Sequence, residues 1–472
     1  MDKKRARLVL LHPPLRTLVS AATPLYVDKN RGHTPPLGLL YLQAAVEHSR
    51  HESMFIDADL EGWDYDEAAR QVLSHQPDLI GLQAMTFTMP DAYRTAQAIK
   101  RQNPEARVMI GGPHPTIYPK ETAALEAVDF AFAGEGELGL PAFLDVLSEP
   151  ERWPEVAGLA FRTSGTVHYT PFAGLLKDLD SVHYPARQSS KYREYGSVLS
   201  SHGVMTTMIT SRGCPFKCVF CNRMGRQYRY HSSDYVLGEI EAIVGLGIHE
   251  IFLHDDLFTL RRDRVEAICR GITERRYGVT WEARTRVDCV DEEMLAMMRK
   301  AGCRRLSFGV ESGSERVLKS MNKGVDLKQV EDVFRWCRNI GIITIADFMF
   351  GNLDEEADDV QKTLDLTRRL NPDFVQYSIC SPYPGTPLYQ IGLDRGLIPS
   401  DVWLEFSKDP LKDFQSPLWT QHFTRDELIT ITAKAYRAFY YRPAFILKQL
   451  TRIRSLAQVK NLASAALGML RK

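Results

Sequence analysis

Three cysteines on one short segment carry the strongest chemical signal in this sequence. Cys214, Cys218 and Cys221 are spaced C-x3-C-x2-C, and no cysteine precedes them in the chain. Three thiolates at this spacing can bind three irons of a [4Fe–4S] cluster and leave the fourth iron open. A structural zinc site is the alternative, but it needs four closed ligands, and His231 is the nearest candidate for a fourth. The spacing therefore favours an iron–sulfur cluster.

The segment around these cysteines, Ser211–Asn222, resembles the signature of the radical S-adenosylmethionine (SAM) superfamily, in which an aromatic residue such as Phe220 precedes the last cysteine. The resemblance implies that Cys214, Cys218 and Cys221 bind a [4Fe–4S] cluster. It also implies that the SAM amine and carboxylate chelate the fourth iron. Electron transfer from such a cluster cleaves SAM to methionine and a 5′-deoxyadenosyl radical.

Further motifs follow successive predicted strands and resemble the SAM contacts of this superfamily. His254–Phe258 stands where many members have Gly-Gly-Glu, and Ser381–Pro387 resembles a loop beside their active site. Each motif alone is also typical of a helix cap or a turn with a buried ion pair. Their order, each at a strand end, favours a SAM site. The expected SAM contacts are Asp255 or Asp256 for the amine, Arg286 for the carboxylate or ribose, Glu311 and Ser312.

Two series of strands and helices predict an α/β protein with two main domains. Residues 1–150 predict a doubly wound, Rossmann-like parallel sheet, residues 151–200 a connector, and residues 201–400 a partial (β/α)6 TIM-type barrel. Residues 401–472 predict a helical C-terminal region. The predicted strands of the first domain are Arg7–Leu11, Met54–Asp57, Leu79–Ala84, Arg107–Gly111 and Phe130–Ala133. The predicted barrel strands start near Thr206, Ile251, Thr280, Arg305, Ile343 and Phe374.

The first domain contains a Gly-rich segment that invites a dinucleotide-binding interpretation. Gly134–Gly139 fits G-x-G-x-x-G, but it follows the fifth strand instead of the first, and its two carboxylates would repel a pyrophosphate. We therefore reject nicotinamide binding. Thr34–Leu42, Gly111–Pro115 and Gly134–Glu137 instead resemble the cobalamin-binding domain of one branch of radical SAM enzymes.

This second resemblance implies a corrin lying across the carboxyl ends of the strands. The usual Asp-x-His-x-x-Gly is missing, so the histidine that ligates cobalt from below is missing too. A structural domain with an empty crevice is the alternative. The expected cobalamin contacts are Pro13, Thr86, Gly111, Gly112, Gly134, Glu135 and Gly136, with His114 as a weaker candidate for contacting the corrin or its tail.

The composition indicates where in the cell the protein is located and which partners it does not bind. The 472 residues carry 59 basic and 59 acidic side chains, so no overall basic field exists to bind nucleic acid. The apolar run Leu8–Leu11 is too short for a signal peptide or a membrane-spanning helix. Eight cysteines are too few for a disulfide scaffold. We therefore expect a cytoplasmic protein that binds no nucleic acid.

The C-terminal region, 425–472, is basic and rich in aromatic residues, with ten Lys or Arg against Asp426 and Glu427. One interpretation is a helix packed on the barrel with a solvated basic face. The other is peripheral contact with a membrane surface or an anionic, lipid-like substrate. Tyr440–Pro443 resembles the tails of cobalamin-dependent members that act on tetrapyrroles and hopanoids.

The leading hypothesis is a cobalamin-dependent radical SAM (class B) methyltransferase that acts on an unactivated carbon. The resemblance implies that a substrate radical takes its methyl group from methylcobalamin, which a second SAM restores. A cyclase or ring-rearranging enzyme acting on a tetrapyrrole- or hopanoid-type substrate, as in anaerobic Mg-protoporphyrin monomethyl ester cyclases, is the alternative. A non-catalytic cobalamin or Fe–S sensor would predict damaged strand ends, but these are intact. The expected electron donor is a flavodoxin or ferredoxin.

Overall fold

The computed structural model describes residues 5–17, 33–196, 203–222 and 227–450, and the chain forms two compact units. The first unit comprises 1–20, 35–194 and 399–416, and the second comprises 21–34, 195–398 and 417–472. The predicted domain boundaries at residues 150, 200 and 400 stay a prediction.

The first unit contains a seven-stranded sheet in the order β2-β1-β3-β4-β5-β6-β7. The strands from β1 to β5 pair in parallel, and β6 and β7 are antiparallel. Leu8–Leu11 is fully buried in β1, as expected for a parallel strand that is covered on both faces. The strands are β1 Arg7–His12, β2 Glu52–Asp57, β3 Leu79–Gln83, β4 Val108–Gly111, β5 Phe130–Phe132, β6 Leu159–Thr163 and β7 Thr166–Tyr169. The helices are α1 Leu37–Glu47, α2 Tyr65–Ser74, α3 Met89–Gln102, α4 Pro113–Ile117, α5 Pro119–Ala124 and α6 Gly136–Val146.

The parallel α/β prediction is confirmed. Two helices begin inside segments that were identified by their glycines. α4 begins at Pro113, within Gly111–Pro115, because a proline in the first helical turn costs no hydrogen bond. α6 begins at Gly136, within Gly134–Gly139. The predicted connector supplies β6 and β7, which extend the sheet.

The second unit contains a six-stranded, all-parallel sheet in the order β15-β14-β13-β12-β11-β8. Its strands start within three residues of the six predicted positions, so the partial barrel is confirmed. A separate two-stranded ladder joins β9 and β10. The strands are β8 Thr206–Met208, β9 Ser211–Arg212, β10 Arg229–Tyr230, β11 Glu250–Leu253, β12 Thr280–Thr285, β13 Cys303–Glu311, β14 Ile343–Phe350 and β15 Phe374–Ile379. The helices are α7 Ser233–Gly245, α8 Arg262–Glu274, α9 Glu292–Lys300, α10 Glu315–Ser320, α11 Leu327–Ile340, α12 Ala357–Leu370 and α13 Pro387–Asp394.

The two faces of this sheet differ in chemistry because side chains alternate along a strand. Apolar side chains such as Leu306, Phe308 and Phe348 are buried on the face that the helices cover. The opposite face, called the inner face below, carries polar side chains at the intervening positions, for example Arg284 and Asp347. The inner face is therefore where this sheet presents polar chemistry.

Three helices complete the described chain: α14 Val402–Lys408, which belongs to the first unit, and α15 Arg425–Tyr440 and α16 Pro443–Leu450, which belong to the second. In the part of the chain with described structure, no helix is both long and apolar enough to cross a membrane. Of the basic C-terminal region, residues 451–472 lie outside the described residues.

Two tyrosines of α15 cover the free edge of β15. The Tyr436 hydroxyl accepts from the Tyr377 amide (3.0 Å) and donates to the Tyr377 carbonyl (2.9 Å). The Tyr440 hydroxyl does the same at Val375, at 3.2 and 2.7 Å. The two hydroxyls thus take the place of a neighbouring strand, whose absence would leave an edge open to pairing. For residues 425–440, this agrees with a helix packed on the barrel.

We predict that Tyr436→Phe and Tyr440→Phe each destabilise this edge by about 1–3 kcal/mol, because a backbone amide and carbonyl lose their partners. Hydrogen exchange of the peptide 374–379 measures the effect. Tyr441→Phe, at an exposed neighbouring tyrosine, is the control and should exchange like the unmodified protein. Equal exchange in all three variants would contradict this role of the hydroxyls.

Candidate functional site

The cysteine segment leaves β8 and runs through β9 at one edge of the six-stranded sheet. Cys214 and Cys218 are 1% and 6% exposed, and Cys221 is half-buried. The Cys221 amide donates to the Cys218 carbonyl at 3.3 Å, which places the last two cysteines on one turn. Burial, followed by the proximity of Cys218, raises the pKa of the Cys221 thiol to about 12. Coordination to a metal supplies the positive charge that a thiolate needs in such surroundings.

An iron–sulfur cluster and a single metal ion place different demands on the three thiols. Among the described residues, no three His, Cys, Asp or Glu side chains gather as the ligands of one metal ion. In an iron–sulfur cluster each cysteine binds a different iron, so the thiolates surround the cluster instead of meeting at one point. The predicted alternative ligand for zinc, His231, is buried with its ring stacked on Tyr235 at 3.9 Å. The assignment of Cys214, Cys218 and Cys221 to a cluster stays a prediction at this point.

Arg286 lies against this loop with its guanidinium fixed on several sides. It stacks on Phe216 at 3.7 Å from the ring centroid and approaches the Cys218 sulfur at 3.6 Å. It donates to both carboxylate oxygens of Asp288 (2.8 and 2.7 Å) and to the Lys323 carbonyl (2.6 Å). A buried positive charge therefore lies beside Cys218, where it stabilises a thiolate. The contact of Arg286 with Cys218 is observed, whereas a contact of Arg286 with SAM stays a prediction.

Asp255 and Asp256, which sequence reasoning could not separate, occupy different environments. Asp255 is 2% exposed and accepts hydrogen bonds at 2.6 Å from the Thr210 amide, the Thr210 hydroxyl and the Ser211 hydroxyl. Burial raises its pKa, and the charge of Arg264 opposes that shift. Asp256 is exposed and accepts from the Gly213 amide at 3.0 Å. Asp255 thus holds the cysteine loop, and Asp256 is the one open to a ligand.

Glu311, at the end of β13, has a backbone φ of +70°, which residues other than glycine rarely adopt. Its carboxylate pairs with Lys323 at 2.8 Å, and both side chains are largely buried. Gly309 makes room for the pair, since a Cβ there would lie 2.5 Å from the Glu311 carboxylate. Left-handed backbone costs about 1–2 kcal/mol in such a residue, and strain of this kind concentrates at functional sites.

Ser312, which the sequence analysis expected to contact SAM, is buried against its own turn and a neighbouring helix. Its hydroxyl is fully buried, lies 3.3 Å from the Thr363 hydroxyl on α12 and accepts from the Ser314 amide at 3.2 Å. The Gly313 amide also donates to Thr363, at 2.8 Å. Ser312 therefore fixes the turn that follows Glu311 to a helix.

The loop after β15, Ser381–Pro387, contacts the cysteine loop from the other edge of the sheet. Asn222 donates its side-chain amide to the Pro384 carbonyl at 2.6 Å, and the Leu388 amide donates to the Val219 carbonyl at 2.9 Å. A Cβ at Gly385 would lie only 2.8 Å from the Asn222 side chain. Because β8 and β15 are the two edge strands, these contacts close the carboxyl end of the partial barrel.

In the first unit, the loops after the central strands are tied to one another and hold small residues. Gly112 has φ +112°, and a Cβ there would lie 2.8 Å from the Ala84 carbonyl oxygen. The Gly134 amide donates to the Thr116 hydroxyl at 2.9 Å. Such loops fit a flat macrocycle because no side chain rises from these glycines. The remaining expected contacts lie as follows: Pro13 buried after β1, Thr86 buried after β3, Gly111 at the end of β4, and Glu135 and Gly136 at the start of α6.

His114 and Glu135 are engaged within the first unit. The His114 ring is fully buried and packs near Tyr118 and Phe406, with centroids 5.5 and 6.0 Å away. Burial lowers its pKa to about 3, so the imidazole is neutral at pH 7. The Glu135 carboxylate accepts from the Leu176 amide at 2.6 Å. The structure thus places the His114 ring among aromatic side chains instead of on the open loop that the sequence indicated.

Sequence reasoning missed three charged residues of the second unit: Arg284, Lys323 and Asp347. The alternation Glu282, Arg284, Arg286 along β12 was the available signal for a charged inner face. The sequence gives no motif that includes Lys323 or Asp347, because each contacts a residue that is distant in the chain: Glu311 for Lys323 and Ser307 for Asp347.

Two family models match the chain. The Radical SAM superfamily matches residues 208–367, and the B12 binding domain matches residues 24–144. The first match begins at the last residue of β8 and covers the barrel strands from β11 to β14, and the second covers most of the parallel strands of the first unit.

Individual relatives match nearly the whole chain. An uncharacterized methyltransferase of Pyrococcus horikoshii is 31% identical over 454 residues, which is 95% of each protein. An anaerobic magnesium-protoporphyrin IX monomethyl ester cyclase of Rubrivivax gelatinosus is 28% identical and covers 88% of this chain and 75% of its own length. The solved structure of TsrM from Kitasatospora setae, a radical SAM methyltransferase with cobalamin and a [4Fe–4S] cluster bound, is 19% identical with a TM-score of 0.68. It covers 84% of this chain and 76% of its own, and it shows the same fold.

We predict that Asp255→Ala loosens the segment 206–213 by about 3–5 kcal/mol, because three hydrogen bonds vanish and the charge of Arg264 loses its buried counterpart. Native-state hydrogen exchange of that segment measures the free energy of opening. Asp256→Ala, which removes a single part-buried hydrogen bond of an exposed side chain, should change it by less than about 1 kcal/mol. Similar losses in both variants would refute the different roles of the two carboxylates.

Proposed function

Since this chain belongs to the cobalamin-dependent radical SAM enzymes, we propose that it is a methyltransferase acting on an unactivated carbon. It is an enzyme that uses a [4Fe–4S] cluster, SAM and cobalamin. When bound, these groups supply one-electron cleavage of SAM and a transferable methyl group. One observation carries the proposal: the cysteine loop, Asp256, Arg286 and Glu311 all lie at the carboxyl end of one sheet. The relative from P. horikoshii, named a methyltransferase, supports it.

For the cluster, we propose Cys214, Cys218 and Cys221 as the iron ligands. Arg286 holds a positive charge at the Cys218 sulfur, and Asp255 anchors the start of the loop through Thr210. The burial of Cys214 and Cys218 excludes water from two of the three iron–sulfur bonds. These residues bind, orient and shield the cluster.

For SAM, we propose Asp256 as the partner of the amine and Glu311 as a second contact. Asp256 is exposed beside Gly213 of the cysteine loop, and a carboxylate complements an ammonium group. The strained backbone of Glu311 aims its carboxylate along the inner face, where Lys323 limits its movement. Ser312 is a positioning residue, because its hydroxyl fixes the following turn to Thr363.

For cobalamin, we propose the loops of the first unit around Pro13, Thr86, Gly111–Gly112 and Gly134–Gly136. His114 gives no nitrogen to the lower face of cobalt in this proposal, since its ring is buried. The domain assignment follows: residues 1–150 bind cobalamin, and residues 201–400 bind the cluster and SAM. The family matches at 24–144 and 208–367 support this division.

Oxidative cyclisation is a second candidate function, supported by the 28% identical cyclase of R. gelatinosus. For either function we propose a small-molecule substrate, of which a tetrapyrrole is one type, and a flavodoxin or ferredoxin as electron donor. Cytoplasmic location and membrane contact through the C-terminal region stay predictions.

We predict that anaerobically reconstituted enzyme, incubated with SAM, reductant and candidate substrates, forms 5′-deoxyadenosine and S-adenosylhomocysteine together, as mass spectrometry would measure. Cys218→Ala should lose the 5′-deoxyadenosine and part of the iron, because one iron ligand is missing. Cys337→Ala, at a buried cysteine of α11, is the control and should keep both. 5′-Deoxyadenosine without S-adenosylhomocysteine would favour the cyclase, and neither product with a full cluster would favour a sensor.

We predict that Asp256→Asn weakens SAM binding by about tenfold or more, since a charge-assisted contact with the amine is lost. Equilibrium dialysis with labelled SAM on the reconstituted, unreduced enzyme measures the dissociation constant. Asp263→Asn, on the exposed start of α8, is the matched control. Unchanged affinity in Asp256→Asn would remove this residue from the SAM site.

A further inference from the structure

The inner face of the six-stranded sheet holds charged side chains in two layers. In the lower layer, near the amino ends of the strands, Glu282 and Arg305 pair with each other at 2.9 Å and are largely buried. Two residues further along the same strands, Arg284 and Ser307 lie opposite each other in the register of β12 and β13. The two opposite charges of the lower layer thus neutralise each other. The layer above it contains no such ion pair between described residues.

Arg284 brings a positive charge to the upper layer without an acidic partner. Its guanidinium lies over the Phe252 ring at 5.4 Å, and none of the ion pairs between described residues includes it. His254 contacts the same ring edge-on at 4.3 Å. Burial, followed by the charge of Arg284, lowers the pKa of His254 to about 4, so this imidazole is neutral at pH 7. Arg284 therefore supplies the positive charge at this point of the inner face.

Asp347, one inward-facing position further along β14, brings a negative charge within hydrogen-bond reach of this layer. It stands opposite Gly309 in the register of β13 and β14, and its Oδ2 accepts from the Ser307 hydroxyl at 2.5 Å. Its Oδ1 is closed to solvent and has no hydrogen-bond partner among the described residues. Burial raises the pKa of Asp347 to about 6; the Ser307 hydrogen bond and the charges of Arg284 and Lys323 oppose the shift, and Glu311 adds to it. The carboxylate is ionised at pH 8, and its Oδ1 lacks a donor among the described residues.

We propose that these three residues, Arg284, Ser307 and Asp347, form an inner polar row that binds the polar end of the substrate. An anionic group binds to Arg284, and an ammonium or hydroxyl a few bonds away donates to Asp347. The row lies on the inner face below Glu311, so a substrate bound there extends towards the carboxyl ends of the strands. This inference rests on the proposed function and names its substrate class: molecules that carry an anion and a nearby hydrogen-bond donor.

The inner polar row contains polar groups that the described residues leave unmatched. An ionised carboxylate oxygen that is buried without a donor costs free energy, and a substrate without polar groups would bury the row and worsen that cost. Arg284 and Asp347 face the same space from β12 and β14 with Ser307 between them, yet they form no ion pair with each other. A ligand carrying both complementary charges satisfies the two residues at once.

Chemical modification of Arg284 by phenylglyoxal, followed by peptide mass spectrometry, tests the row in the cofactor-loaded enzyme at pH 8. The probes are glycine, β-alanine and γ-aminobutyrate, each compared with the acid of equal length that lacks the amine: acetate, propionate and butyrate. We expect at least one amino acid to slow modification of Arg284 about threefold more than its matched acid. Arg304, the half-exposed neighbour on the outer face of β13, should show no protection by any probe.

Asp347→Asn should reduce the ratio between the amino acid and its matched acid to about one, since the charge that recognises the ammonium is gone. Asp347→Ser provides a second, smaller replacement if the amide variant does not fold. Protection that is equal with and without the amine, or a ratio unchanged by both variants, would overturn the proposal. Because modification needs no turnover, a protein that shows the expected protection but no cluster-dependent SAM cleavage would contradict the proposed function alone.

Discussion

The attachment of the cysteine loop to the other strand ends is the constraint on which the second unit depends. In the proposed site, three thiols must be held close enough to share one cluster, although two of them are buried and a buried thiol resists ionisation. The loop is therefore fixed by hydrogen bonds to Asp255 on one side and to Pro384 on the other. Arg286 adds a positive charge at Cys218. Without these contacts, a segment between two edge strands would have no defined position.

The same contacts explain why a partial barrel suffices. A six-stranded parallel sheet has two open edges. At the carboxyl end, the loops of β8 and β15 meet through Asn222 and Gly385. Along β15, the hydroxyls of Tyr436 and Tyr440 satisfy the exposed backbone. Two aromatic residues of α15 thus have a structural role, covering the edge of β15, which the basic charge of this segment did not indicate.

The sequence predicted the elements well and the site less completely. The strand starts of the second unit follow from apolar periodicity, which burial enforces directly. The separation of Asp255 from Asp256 did not follow, because it depends on which carboxylate meets Thr210 across two strands. Likewise, the pairing of Glu311 with Lys323 needs a turn that places distant residues side by side. The burial of His114 did not follow either, because it depends on the helix α4 and on aromatic side chains that pack near its ring.

In the proposed site, the three cysteines leave one iron open and this iron binds SAM. Electron–nuclear double resonance on the one-electron-reduced enzyme tests it, with SAM labelled by 15N at the amine. We expect a hyperfine coupling between the cluster spin and the label that appears with SAM and is absent without it. A reduced cluster whose spectrum is unchanged by SAM, and which shows no coupling to the label, would contradict the proposed binding of SAM to the open iron.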